Sequence, residues 1–106
     1  MIVRTRSSWI ESGAATDALA TAERAAPAAG LSHFVTSLSA SYSDTATGVL
    51  VLKQGAVELA RWHVHNVLTV PLQSPLLIAP GLPVSLELEA GGTSIEGAVV
   101  LSGYTL

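Results

Sequence analysis

The sequence predicts an all-β fold, an antiparallel sandwich or jelly roll of about eight short strands. Three observations point there. The first is alternation: Val84, Leu86 and Leu88 interleave with Ser85, Glu87 and Glu89, the period-two pattern of a strand with one dry and one wet face. The second is punctuation, because short apolar runs are separated by Gly, Pro and Ser clusters at regular spacing. The third is that no long stretch keeps a helical period from end to end.

A chain of 106 residues is one small domain. Apolar residues make up 49% of it, enough for a core, but charged residues only 12%, against about 25% in an ordinary soluble domain. So few charges imply that part of the surface is covered by a partner or by further copies of the chain. A coding bias toward Ala and Gly is the alternative. Net charge is −3 and the five basic residues are scattered, so there is no electrostatic footprint for nucleic acid. Without cysteine there is no disulfide staple and no thiolate metal site. The first residues lack a signal-peptide apolar run, and no stretch approaches the ~20 apolar residues of a membrane span. A cytosolic chain with no membrane partner is expected.

Residues 1–13 read as an N-terminal arm and residues 14–106 as a single domain. In the arm, Trp9 and Ile10 form a large apolar pair. They suit a frayed terminus or edge strand, or an arm docked on a neighbour with Trp9 as anchor. Ala14 to Gly30 is Ala-rich, and propensity favours a short helix capped by Asp17. The β context downstream argues for an extended segment, with a loop at Pro27.

Leu31 to Tyr42 alternates as a strand with Phe34, Thr36, Leu38, Ala40 and Tyr42 toward the core. Gly48 to Lys53 has no polar face before Lys53, so Val49 and Val51 point to a strand covered on both sides or lying in an interface. A turn at Gln54-Gly55 returns the chain into Ala56 to His65, with Trp62 in the core. Leu68, Val70 and Leu72 alternate through Pro71, whose missing N–H demands an edge or a bend. Leu76, Leu77 and Ile78, set among three prolines, are too apolar for a free loop and suit a contact. Pro83 to Leu106 then reads as a hairpin: a strand, the Gly91-Gly92 turn, and a return from Ile95 to Leu101.

Chemistry has few carriers. His63 and His65 stand two apart and so share one side of a strand, where they could bind a metal. His33 and Glu58 are the further donors within reach in sequence. A cupin-like site wants a later histidine, and none follows position 65. Two surface histidines at a strand end are the plainer reading. No serine lies in a Gly-x-Ser-x-Gly elbow, and Gly91-Gly92 leads into a strand instead of a phosphate-binding helix. Glu87 and Glu89 are solvating residues on one wet face, not a pair facing across a cleft. No catalytic residue and no cofactor is expected.

Residues 31–106 resemble a group of small virion proteins of tailed bacteriophages, with similar proteins in gene transfer agents. The resembling pieces are HFVTSLSAS, the hairpin TATGVLVLKQGAVELARWHVH, the segment VPLQSPLLIAPGLPVSLELEAGG and the closing SIEGAVVLSGYTL. Proteins of this kind are small jelly rolls found as head decoration (cement) proteins, head-fibre or spike components, or tail accessory proteins. The resemblance implies a structural role on the capsid surface after assembly in the host cytoplasm. It also implies a homotrimer and contact with the major capsid protein. A tail, fibre or receptor-binding role is the alternative, and a cupin-like metal-binding barrel a more distant one. The interface residues expected on this reading are Trp9, Ile10, Val49, Val51, Leu76, Leu77 and Ile78.

Overall fold

The structure is a computed structural model that describes residues 6–106. It contains eight strands: β1 (Ser7–Thr16), β2 (Ala20–Arg24), β3 (His33–Tyr42), β4 (Thr47–Gln54), β5 (Val57–His65), β6 (Val67–Leu77), β7 (Val84–Leu88) and β8 (Glu96–Thr105). They form two four-stranded antiparallel sheets, ordered β1-β8-β3-β6 and β2-β7-β4-β5. Among the pairings β4 meets β5, β3 meets β6, β2 meets β7 and β1 meets β8. That nesting is one long hairpin wound into two sheets, the topology of a jelly roll.

The hairpin at the centre of the nest is β4–β5. Its two-residue loop is Gly55-Ala56, between the paired Gln54 and Val57, one residue later than the Gln54-Gly55 turn expected. Gly55 takes a φ of 57°, which glycine adopts without a Cβ clash. Pro83–Leu106, by contrast, is not a hairpin. β7 lies between β2 and β4, while β8 lies between β1 and β3 in the other sheet. The Gly91-Gly92 segment is therefore a crossover between sheets. Alternation reports which side chains share a face, and it is silent on which strand lies alongside.

The core fills the space between the sheets. Leu50, Leu52, Val84, Leu86 and Leu88 come from one sheet and Val35, Leu38, Val99 and Leu101 from the other, all at most 1% exposed. In β3 the register slips between Val35 and Ser37, and this bulge changes the inward parity. Val35 and His33 are buried ahead of it, and Leu38, Ala40 and Tyr42 after it. Phe34, expected in the core, stacks outside on Tyr104 instead.

The two sides of the sandwich differ in width. At β1 and β2 the sheets converge, and the residues there are small: Ala20 and Ala22 are buried, and a Cβ on Gly13 would collide with the Thr21 carbonyl. This explains why an Ala-rich segment is extended. Small side chains let two sheets approach, whatever their intrinsic helix preference. At β5 and β6 the sheets stand further apart, and half-buried Trp62, Leu68, Val70 and Leu72 cover the opening. Pro71 lies on β6, an edge strand as its missing N–H requires.

Corners between the sheets use Asx residues in the left-handed region. Asn66 (φ 65°) joins β5 to β6 alone, and its Oδ1 accepts from the Ala46 N–H at 2.8 Å. Asp17 (φ 58°) serves the β1–β2 corner, its Oδ1 accepting from the Ser94 N–H at 2.7 Å. Asn and Asp tolerate this conformation better than other side chains. Asp17 is a corner, not a helix cap.

The segment expected as an arm is part of the sandwich. β1 runs unbroken through residue 13 and pairs with β8 from Ser7 to Thr16, so no structural boundary falls there. Residues 1–5 of that expected arm lie outside the described residues.

Candidate interaction surface

The outward side chains of the β1-β8-β3-β6 sheet can be read off its register. Four rows cross the sheet: Ser8-Tyr104-Phe34-Leu77, Ile10-Ser102-Ser37-Pro71, Ser12-Val100-Ser39-Thr69 and Ala14-Ala98-Ser41-Val67. None of these positions is buried and none is charged. Ile10 is 70% exposed and Val67 65%. The hydroxyls of one row are already engaged: Ser37 and Ser102 hydrogen-bond each other at 2.5 Å, and the neighbouring Thr36 hydroxyl donates to the Ser102 carbonyl. Covering them would leave fewer unmet hydrogen bonds, the main penalty for burying polar groups. At one end Phe34 and Tyr104 stack with centroids 4.9 Å apart, and the Arg6 guanidinium lies 4.6 Å above the Tyr104 ring. Aromatic and Arg side chains are the usual energetic anchors of protein interfaces.

The other outer face has the opposite character. Val49 and Val51 are half-buried on it, flanked by charge. Val51 pairs with Glu87 on β7 and Arg61 on β5. Lys53 bridges to Glu87 at 3.2 Å, and Arg61 to Glu58 at 2.7 Å. The hydrogen bond from Arg61 holds the Glu58 carboxyl below its usual range, and Glu58 in turn raises Arg61.

The residues expected in an interface divide three ways. Ile10 and Leu77 lie on the uncharged face, with Leu76 exposed beside them at the end of β6. Val49 and Val51 lie on the charged face. Trp9 and Ile78 are corrections, because both are core residues, Trp9 6% exposed and Ile78 not at all. The Trp9 Nε1–H donates to Thr105 Oγ1 at 3.1 Å, and a Cβ on Gly103 would press on the indole. Ile78 is held by its N–H bond to the His33 carbonyl.

The histidines do not converge. Both nitrogens of buried His33 are in use: Nε2 on the Ala25 carbonyl and Nδ1 on Thr105 Oγ1, each at 2.7 Å. A carbonyl only accepts, so Nε2 carries a proton. Thr105 Oγ1 takes the Trp9 N–H and also hydrogen-bonds His33 Nδ1, so the three side chains form one chain of hydrogen bonds. His63 and His65 are exposed and line a shallow cleft with Thr47, Val49 and Glu89. Among the described residues no three His, Asp or Glu side chains gather as a metal site.

No protein-family model and no curated protein matches the chain. Among solved structures it is similar to the carbohydrate-binding module CBM36, seen in complex with calcium and xylotriose. The TM-score is 0.44 at 13% identity, over 90% of this chain and 76% of that one. A jelly roll serves many functions, so function has to be argued from the surface.

Proposed function

We propose that the chain is a structural protein of a tailed-bacteriophage virion, a head decoration protein that binds the capsid surface and stabilises it. The observation that carries this reading is the uncharged outer face of the β1-β8-β3-β6 sheet. Exposed apolar groups and uncharged hydroxyls in continuous rows, with Ser37 and Ser102 already paired to each other, mark a subunit of an assembly. The resemblance of residues 31–106 to small virion proteins supplies the setting, with the major capsid protein as partner. No catalytic step, cofactor, nucleic acid or membrane is invoked.

Cosedimentation with isolated phage heads tests the proposal. Saturable binding at a ratio matching the capsid lattice is expected, together with a matching copy number in purified particles by quantitative mass spectrometry. A handful of copies per particle would move the protein to the tail or a fibre. No binding to heads and no copies in particles would overturn the proposal.

A further inference from the structure

The uncharged face lies between two opposite charges. Arg6 stands at the Tyr104 end, held over that ring, and Glu96 points outward at the other end of β8, opposite Thr16. The rows between them carry no charge. In a twofold contact each central residue meets its own copy or a close neighbour, and a charge there would face a like charge. A twofold axis in the plane of the sheet and perpendicular to the strands reverses strand direction. It brings Arg6 of each copy toward Glu96 of the other.

We infer that this face pairs with the same face of a second copy, antiparallel, with Arg6 and Glu96 forming reciprocal ion pairs at both ends. The inference rests on reading the chain as an assembly subunit and assigns that interface to self-association. Its size fits. Four strands ~4.8 Å apart and ten residues at ~3.3 Å give a footprint of about 600 Å² per copy, hence about 1,200 Å² in all, the lower bound for a specific interface. Two flat sheets of small side chains pack face to face about 10 Å apart. Ser12, Ser39, Ala98 and Val100 at the centre suit that approach. Phe34 and Tyr104, at the ends, anchor it. The charge placement calls for a twofold dimer where the resemblance implies a trimer.

Sedimentation velocity over a concentration series, with parallel cosedimentation on phage heads, tests this. The wild type is expected to dimerise. Val100→Lys, and Ser12→Lys as a second variant, should lose the dimer while keeping the wild-type circular dichroism and, at concentrations where the wild type is itself monomeric, its melting temperature. Val51→Lys on the other face should remain dimeric. Arg6→Glu should weaken the dimer several-fold, and adding Glu96→Arg should restore it. A monomer or a trimer at the highest concentration, or a dimer broken by Val51→Lys and not by Val100→Lys, overturns the inference. Failure of the double charge reversal overturns the antiparallel arrangement. A dimer that does not bind heads sinks the decoration role and leaves the pairing intact. A monomer that loses head binding on Val100→Lys does the reverse.

Discussion

The two outer faces of this sandwich are built from similar strands, and they present opposite surfaces. The β2-β7-β4-β5 face carries Glu87, Lys53, Glu58 and Arg61, paired among themselves. The β1-β8-β3-β6 face carries hydroxyls, small apolar groups and one aromatic stack. A protein selected only to fold and stay soluble gains from charge on both faces. Ion pairs laid across one face, and four central rows without charge on the other, indicate that the second is adapted to being covered. The two faces share a single core, and substitutions can act on them at three depths: core, corners and surface.

The core comes first because both faces stand on it. Leu86 is fully buried, and its sequence neighbour Glu87 points outward to Lys53. Leu86→Asp removes a large side chain, a loss of roughly 2–5 kcal/mol by analogy with Leu→Ala, and adds an unpaired buried carboxylate. That approaches the whole stability of a small domain, so soluble folded protein should be lost. Glu87→Ser should express and melt close to wild type. Equal behaviour in a solubility and thermal-melt comparison would refute the assigned facing of β7.

Much of the fold is legible in the chain and much of the surface is not, for one reason. Alternation fixes which side chains share a face of one strand, and it identified β7, the β4–β5 hairpin and the edge character of Pro71. It carries no information on which strand lies beside which. The β7–β8 crossover therefore looked like a hairpin, and Trp9, which packs across from Gly103, looked like an arm residue. The bulge in β3 reversed Phe34 and Val35, because one extra residue flips every side chain ahead of it. The uncharged face exists only once β1, β8, β3 and β6 are side by side. A signal was present in three of them: β3 and β6 carry no Asp, Glu, Lys or Arg, and β8 carries only Glu96. Read together, those three strands would have drawn attention to Tyr104, Val100 and the serines.

The corners hold the two faces at their separation. Asn66 turns the chain between sheets in one residue at positive φ while accepting the Ala46 N–H. Asn66→Ala forces a Cβ without amide compensation into that region, at about 1–2 kcal/mol, and loses a hydrogen bond worth about 1 kcal/mol. Asn66→Gly removes only the second contribution. Chemical denaturation of the two variants should rank Ala well below Gly. Equal losses would show that the conformation at Asn66 is not strained.

Tyr42 ties the sheets more gently, its hydroxyl donating to the Glu89 carbonyl at 2.7 Å. Burial, and then the Glu89 charge, raise its ionisation above the usual 10.0. The folded state therefore holds the proton more tightly than the unfolded chain. Its contribution is complete below the unfolded value and falls as pH rises through it toward the folded value. Stability should decline above about pH 10. Tyr42→Phe should cost about 1 kcal/mol at neutral pH and flatten that alkaline decline. A decline unchanged in the variant would assign it to other groups.

The smallest effect belongs to the charged face and is the sharpest contrast with its opposite. Glu58 is held below its usual carboxyl range, first by the Arg61 hydrogen bond. A lowered carboxyl contributes above its unfolded value and loses that contribution as the pH falls into the acid range. Both partners are solvent-exposed, however, where water and salt screen the pair and side-chain entropy opposes it. Glu58→Gln should leave the melting temperature and its salt dependence unchanged, as should Arg61→Gln. The same kind of single-charge change on the opposite face, Val100→Lys, should alter the state of assembly. If the Glu58 and Arg61 substitutions also changed assembly, both faces would be interfaces, and charge would no longer distinguish the covered side from the wet one.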